Sequence, residues 1–423
     1  MHGSAPAGWD VLWKILLATS LYELCFYYND LYDLTLVASR GELLVRVLQA
    51  AGAGAIVLSV ISFVIPSLTI GYGIFITSLG LTLLAIPMWR WAFDGLTRDP
   101  HLEERVLIVG TGVTARTIAQ QIGRQRNFAY RLIGFVDEGI GAAHVRQHDV
   151  LGSIADLGRL ITERRVDRIV IGLADRRGRL PIEQLLRAKL SGVRVEDATT
   201  TYERLTGKIL IDDLKPSWLI FSDGFHASRA TRAIKRMLDL ALAIVGLIFA
   251  APLMALTALA VAIESRGPIL YRQERVGEHG RVFTLCKFRS MRTDAEQGTP
   301  VWATTGDERV TRVGRFIRTT RLDELPQLWN VVRGDMSFVG PRPERPFFVH
   351  QLAAAIPFYM ERHVVKPGIT GWAQVKYQYG SSIEDAMEKL RYDLYYIKHM
   401  SIFFDLTIVL DTVKVILFGK GAK

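Results

Sequence analysis

The sequence predicts a membrane protein of the α/β class, with apolar N-terminal helices, a Rossmann-like parallel-sheet domain and a basic, membrane-attached C-terminal half. Three observations predict it. Apolar stretches at 11–28, 43–65 and 70–93 open the chain, and strands alternate with helices between 105 and 222. A fourth apolar run, 240–263, then interrupts a basic region and carries Pro252 near its middle. At 423 residues the chain is long enough for two or three units. Hydrophobic residues make up 49% of it, which places part of it in lipid. The net charge of +10 suits anionic partners such as phospholipid headgroups or phosphorylated substrates. No helix-turn-helix, zinc-finger or aromatic RNA-binding pattern is present, so nucleic acid is the least favoured partner. Cys25 and Cys286 form no CxxC pair and support neither a disulfide framework nor a zinc site.

The stretches 43–65 and 70–93 are long enough for a hydrocarbon core of about 30 Å. The stretch 11–28 is weaker, because it contains Lys14 and Glu23. Arg40 and Arg46 follow the first stretch, and Arg90 and Arg98 flank the end of the third. The positive-inside rule then puts the first linker and everything after Phe93 in the cytoplasm. These helices make up a unit spanning 1–95.

From Arg105 the pattern is that of a soluble sheet. A strand at 106–109 leads into Gly110-Thr111-Gly112-Val113-Thr114-Ala115 and a helix to about Gly123. A second strand, 131–136, ends at Asp137, and further strands fall at 168–171 and 193–195 with a helix at 181–191 between them. Such alternation argues for a parallel sheet spanning 105–222. Gly110, Gly112 and Asp137 fit a dinucleotide fingerprint with alanine as its third small residue. A domain that binds nothing, or serves as a dimerisation or regulatory module, fits the same residues.

The next unit, 229–263, joins a basic linker (Arg229, Arg232, Lys235, Arg236) to the apolar run. Arg266, Arg272 and Arg275 lie beyond it. Basic flanks at both ends favour one side of the membrane for both, so the run reads as a re-entrant helix broken at Ala251-Pro252. A kinked full span and a buried soluble helix are the alternatives. Residues 264–423 form the last unit. Its end, 401–418, is apolar but carries Asp405, Asp411 and Lys414, and reads as a helix lying on the membrane surface or on the domain itself.

The chemistry concentrates at Arg321-Leu322-Asp323-Glu324-Leu325-Pro326-Gln327. Pro326 suits a first helical turn, and Leu325, Leu328, Trp329 and Val332 follow at helical spacing. The positive end of a helix holds a carboxylate ionised at neutral pH. An ionised aspartate among arginines suits a nucleophile toward a phosphate ester or a magnesium ligand between phosphates; a plain acidic N-cap is the bland alternative. Arg309, Arg312, Arg315, Arg318 and Arg321 recur every three residues, so the row winds around a helix and only some of them reach the carboxylates, Arg321 first. Arg342 is fixed between Pro341 and Pro343, which lowers the entropy lost in clamping a phosphate. Lys366-Pro367-Gly368-Ile369-Thr370-Gly371 has the residue types of a phosphate-holding loop or an ordinary turn. Lys287, Arg289 and Arg275 add cations whose default role is contact with headgroups.

Tyr271–Gly277, Lys287–Met291, Arg321–Asn330, Gly340–Pro343 and Lys366–Gln374, in that order, resemble the bacterial sugar transferases. These are monotopic polyprenyl-phosphate hexose-1-phosphate transferases that start exopolysaccharide and O-antigen assembly. The resemblance runs from about Arg229 to the C-terminus, and residues 11–222 resemble the N-terminal extension of the large members. Those members usually carry four membrane helices, so three here imply a start downstream of the first. The resemblance implies a mostly α-helical monotopic catalytic domain in the bacterial inner membrane, active on its cytoplasmic face. It implies transfer of a hexose 1-phosphate from a UDP-sugar to undecaprenyl phosphate, with release of UMP and a requirement for Mg2+. Asp323 would be the nucleophile that carries a covalent phosphosugar, Glu324 its acidic partner, and both would hold the metal. Arg342 matches the phosphate-contacting arginine, and Ala251-Pro252 the break in the re-entrant helix. UDP-sugar, polyprenyl phosphate and membrane lipids are the implied partners, and an α/β domain without an evident active site is a candidate dimerisation surface for a homodimer. A membrane-anchored NAD-dependent dehydratase or epimerase is disfavoured because no Tyr-x-x-x-Lys follows the fingerprint. A non-enzymatic scaffold is the remaining alternative.

Overall fold

The computed structural model describes residues 8–32, 40–97, 103–124, 130–137, 144–145, 148–173, 180–212, 214, 216–293, 295, 307–377, 380 and 382–418. Arg98 of the sequence reading lies outside them. The chain divides into two compact units, residues 1–201 and 202–423.

The first unit opens with helices α1 (Gly8–Tyr28), α2 (Arg40–Val64) and α3 (Tyr72–Thr97). Cys25 and Phe26 of α1 pack against Leu43, Val47 and Ala50 of α2. Outside that seam the helices expose apolar side chains, Phe63 and Tyr72 among them, as helices in lipid do. Among the described residues of this unit, α2 and α3 are long and apolar enough to cross a membrane and α1 is not, which agrees with the weaker pattern seen at 11–28.

A six-stranded sheet follows in the order β3-β4-β2-β1-β5-β6. Its strands are β1 (Glu104–Val109), β2 (Tyr130–Val136), β3 (His144–Val145), β4 (His148–Gly152), β5 (Arg168–Ile171) and β6 (Arg194–Asp197). Five are parallel, and β3 pairs antiparallel to β4. Helices α4 (Val113–Arg124), α5 (Leu157–Arg164) and α6 (Ile182–Leu190) provide the crossovers. Leu107, Val109, Val136, Ile169 and Ile171 form the core with Leu157 and Leu185. Arg168 is buried in β5 and paired with Glu104 at 2.6 Å and with Glu196. The Rossmann-like reading therefore holds, and β3 and β4 are the strands that sequence pattern missed.

The second unit begins inside α7 (Ala198–Thr206) and includes α8 (Pro216–Phe221). The sequence reading ended the α/β domain near Ser222, but Ile209, Ile211 and Leu214 pack with Val339, Leu390 and Leu394 of the C-terminal half. The segment has no periodic signal of its own, so sequence could not place it.

A single 36-residue helix, α9 (Arg229–Glu264), contains the proline-bearing apolar run. Ser228 caps it by accepting the Thr231 N–H at 3.0 Å. It is also long and apolar enough to span a membrane. The hairpin β7 (Leu270–Val276) and β8 (Val282–Phe288) comes next, then α10 (Arg312–Thr319) and α11 (Gln327–Arg333). The parallel pair β9 (Ser337–Val339) and β10 (Gly368–Thr370) is joined through α12 (Pro346–Ala355). α13 (Trp372–Lys376), α14 (Ile383–Lys398) and α15 (Ile402–Phe418) complete the unit. α15 buries Ile408 in the core and exposes Phe403 and Ile416, so it lies along the domain with an apolar face outward.

β9 and β10 approach so closely that their loops admit no side chain at three glycines. A Cβ on Gly340 would sit 2.4 Å from the Lys366 carbonyl, one on Gly368 2.1 Å from the Gly340 nitrogen, and one on Gly371 2.2 Å from the Gly340 oxygen. Gly368→Ala should therefore lower stability by about 3 kcal/mol or more, read as a loss of Tm in detergent. Gly158→Ala, on α5 with open space around it, should leave Tm unchanged or raise it. Equal effects of the two would contradict the packing described.

Candidate active site

The carboxylates sit one step earlier than a simple helix start. α10 ends at Thr319, Arg321 adopts a left-handed conformation (φ 61°), and Leu322–Glu324 make one 3-10 turn. Pro326, with φ −62°, then leads into α11. The arginine row is thus not one helix: Arg321 ends it with a backbone reversal. Arg309, Arg315, Arg318 and Arg321 line a common cleft.

That cleft, about 1300 Å³, is formed within the second unit. Asp323 and Glu324 lie in its wall with Lys287 and Arg289 from the β8 segment, Arg275 from β7, and Arg342 from the turn after β9. Structure therefore brings together every predicted cation except Lys366, which lies beside Gly334 and does not line the cleft. The Lys366–Gly371 segment shapes the β9–β10 crossing instead.

Two neighbouring carboxylates have opposite fates. Glu324 accepts from Arg342 Nη2 at 2.6 Å and lies 3.8 Å from Arg321 Nη1. Burial pushes its pKa up, but Arg342, Arg321 and Lys287 outweigh burial and hold it below the usual glutamate value. Asp323 is only 8% exposed, yet its carboxylate makes no hydrogen bond or ion pair with any described residue. Burial, and then the Glu324 charge, raise its pKa to about 6, against the pull of Lys287, Arg342 and Arg318. The sequence reading, a carboxylate held low by a helix end, is overturned here. Desolvation outweighs a terminus that belongs only to a short 3-10 turn.

Lys287 faces Tyr271 across the hairpin, its ammonium 5.1 Å from the ring centroid. Burial and then Arg275 lower its pKa to about 8, so it is charged at neutral pH. Arg275 donates to the Pro343 carbonyl at 3.0 Å and pairs with Glu344, which fixes the turn that carries Arg342. Arg289 donates to the Ser265 carbonyl at 2.7 Å, tying the cleft wall to the end of α9.

Sequence reasoning missed Arg362 and Asp393. They form a buried pair at 2.7 Å in the cleft wall, and Arg362 also donates to the Arg342 carbonyl at 3.0 Å. They sit in a 3-10 turn and in α14, 31 residues apart, and no local pattern links them.

Among the described residues no three or more His, Cys, Asp or Glu side chains converge on one point. Asp323 and Glu324, adjacent in the cleft wall, could offer carboxylate oxygens to a divalent cation. That donor set fits magnesium shared with a diphosphate, since Mg2+ usually takes one or two carboxylates and completes its shell with phosphate and water. Gly110, Gly112 and Asp137 belong to the first unit. There Gly110 N–H donates to the Val136 carbonyl at 2.7 Å, and the Thr111 hydroxyl donates to the Asp137 carboxylate.

Comparison with known proteins follows the same division. Residues 230–419 match the bacterial sugar transferase family, and residues 28–187 match a family described as a CoA-binding domain. The UDP-N-acetylgalactosamine-undecaprenyl-phosphate N-acetylgalactosaminephosphotransferase of Aeromonas hydrophila is 37% identical over 90% of this chain and 85% of its own length. The undecaprenyl-phosphate glucose phosphotransferase of Komagataeibacter xylinus is 34% identical over 77% of this chain and 61% of its own. The UDP-glucose:undecaprenyl-phosphate glucose-1-phosphate transferase of Escherichia coli K12 is 44% identical over 44% of this chain and 40% of its own.

The Asp323 environment has a measurable consequence for stability. An acid whose folded pKa is about 6 and unfolded value 3.8 retains its proton longer when folded, so stability falls as pH rises through that window and levels off above it. With metal chelated, Asp323→Asn should be more stable than the native chain above pH 6, by up to about 3 kcal/mol. The gain should shrink as pH falls toward 4. A mutant less stable than the native chain at pH 7.5 would contradict the electrostatics.

Proposed function

Because the chain belongs to the bacterial sugar transferases, membrane phosphoglycosyl transferases, we propose that it moves a hexose 1-phosphate from a UDP-sugar to polyprenyl phosphate through Asp323. One observation carries the reading: a buried carboxylate left without a partner in a cleft lined by arginines and lysines. Such a group is costly to keep and is useful as a nucleophile. A carboxylate oxygen of Asp323 attacks the phosphorus that bears the sugar. The bond from that phosphorus to the bridging oxygen breaks, and its electron pair leaves with UMP. An oxygen of polyprenyl phosphate then attacks the same phosphorus and expels the Asp323 carboxylate, forming the lipid diphosphosugar.

The surrounding residues divide the remaining work. Lys287 and Arg342 face the charge that spreads over the phosphoryl oxygens during transfer. Glu324 holds Arg342 in place at 2.6 Å, and Arg275 and Arg362 fix the backbone beneath it. Arg321 and Arg289 extend the cationic wall. Magnesium, which we place on Asp323 and Glu324, neutralises diphosphate charge when bound.

Placement of both substrates follows from α9. Its N-terminal half is tied to the catalytic body by Arg236, which donates to the Val331 carbonyl at 2.7 Å, and by Lys235, which pairs with Asp405 at 2.7 Å. Its far end is tied to the same body by Glu264, which accepts the Val313 N–H at 3.0 Å, and by Val261 against Phe288 and Ile317. Between these anchors Phe249 is 79% exposed, and Ala251 and Pro252 are exposed as well. Two ends held by one soluble body favour entry from and return to one face, with the apex at Ala251-Pro252, where no N–H is available for the preceding turn. We assign that face to the cytoplasm of a bacterial inner membrane, from the basic flanks.

The relatives' names differ in their sugar, so the test is a UMP-release screen of UDP-N-acetylgalactosamine, UDP-glucose and UDP-galactose with undecaprenyl phosphate and magnesium. Asp323→Asn should lower release by at least about 1,000-fold and Arg342→Ala by about 100-fold, with both proteins still folded in the membrane. Full activity in Asp323→Asn would reject the mechanism. For topology, single cysteines at Ser228 and Arg266 in a cysteine-free background should both react with an impermeant maleimide from the cytoplasmic side alone. Labelling from opposite sides would make α9 a crossing helix.

A further inference from the structure

The cleft is larger than one nucleotide sugar requires. Its volume of about 1300 Å³ exceeds the roughly 300–1,000 Å³ of an ordinary small-molecule site. Its lining falls into two sides of different chemistry. One, from the chain after β8 and from α10, presents Arg289, Arg292, Arg309 and Arg315. This side rests on α9: Val313, Ile317 and Phe288 pack against Val261, Met254 and Ala258. The other, from α12 to α14, presents the half-buried Tyr377 and Ala386, while Phe348, Tyr359 and Ala373 of its wall are buried. Asp323 feels the arginine side, since Arg318 of α10 acts on its carboxylate together with Arg342 of the turn after β9.

We propose that the uracil and ribose of the donor lie against Tyr377 and Ala386, while polyprenyl phosphate reaches Asp323 along the arginine side next to α9. This assignment rests on the donor being a UDP-sugar. A flat base with apolar faces gains most from aromatic surface, and a lipid phosphate from clustered guanidinium groups beside the membrane helix. The aromatic side is also rigid. The Tyr377 hydroxyl donates to Asp385 at 2.7 Å and its ring lies 6.5 Å from that of Tyr392, while Arg362, paired with Asp393, covers the buried Tyr359 ring at 5.2 Å. A platform already fixed loses little freedom when a nucleoside stacks on it. With the nucleoside on one side and the lipid on the other, only the phosphates share the space beside Asp323.

The test uses full-length protein in detergent, with UMP as the nucleotide probe. Ala386→Leu and Ala386→Phe fill the aromatic side. Each should raise the Kd for UMP and the KM for UDP-sugar together, by about tenfold in the larger variant, with the KM for polyprenyl phosphate within about twofold of the native value. Thr293→Trp, on the arginine side, should give the reverse pattern. If the Ala386 variants do not fold, Tyr377→Ala, which removes aromatic surface and adds no bulk, carries the same comparison. Unchanged UMP affinity in folded Ala386 or Tyr377 variants, or its loss in Thr293→Trp, overturns the assignment. A native protein that binds UMP but never releases it from a UDP-sugar would fail the transfer reading, while the variants' effect on UMP binding would still decide where the nucleoside lies.

Discussion

The second unit keeps one carboxylate, Asp323, out of water and untied while surrounding it with positive charge. The division of labour with Glu324 makes this possible. Glu324 takes the Arg342 guanidinium and part of Arg321, so the strongest nearby donors are already engaged. Asp323 is left with attraction at a distance, which is too weak to offset its burial, and its pKa rises to about 6. A direct ion pair would instead have stabilised the fold and lowered the pKa of Asp323. The sequence element that enforces the arrangement is the reversal at Arg321, which turns the chain out of α10 and leaves the pair on a single 3-10 turn.

The same constraint explains how the membrane helix is joined to the site. Asp239 of α9 accepts from the Ser337 hydroxyl at 2.8 Å and the Phe338 N–H at 2.9 Å, and Lys235 donates to the Val339 carbonyl at 3.1 Å. Tyr396 of α14 donates to that carbonyl and to Asp405 of α15. These contacts fix β9, and β9 runs directly into the Gly340–Pro343 turn that presents Arg342. The position of α9 is thereby transmitted to a cation of the cleft, so the apolar helix and Arg342 are held by one rigid frame.

Much of this was legible in the sequence because the relevant signals are local. Apolar runs, strand-helix alternation, the Asp323-Glu324 pair and the proline-flanked Arg342 need only a short window, and all but Lys366 among the chosen cations line the cleft. What failed was long-range. The 202–222 segment has no periodicity and takes its place only through contacts with α14 and β9. Arg362, in a 3-10 turn, and Asp393, in α14, carry no local signal until tertiary packing buries them together. The Asp323 pKa was misjudged in direction because charge and helix position are visible in sequence, whereas desolvation is a property of the folded cleft.

The central claim is that Asp323 becomes covalently attached to the sugar phosphate, and intact-protein mass spectrometry tests it most directly. Purified enzyme would be incubated with magnesium and its preferred UDP-sugar in the absence of any lipid acceptor, then digested and sequenced. The account predicts a mass increase equal to one sugar phosphate on the peptide that contains Asp323, removed when polyprenyl phosphate is added. Turnover on addition of acceptor with no such adduct, or an adduct on another side chain, would contradict it.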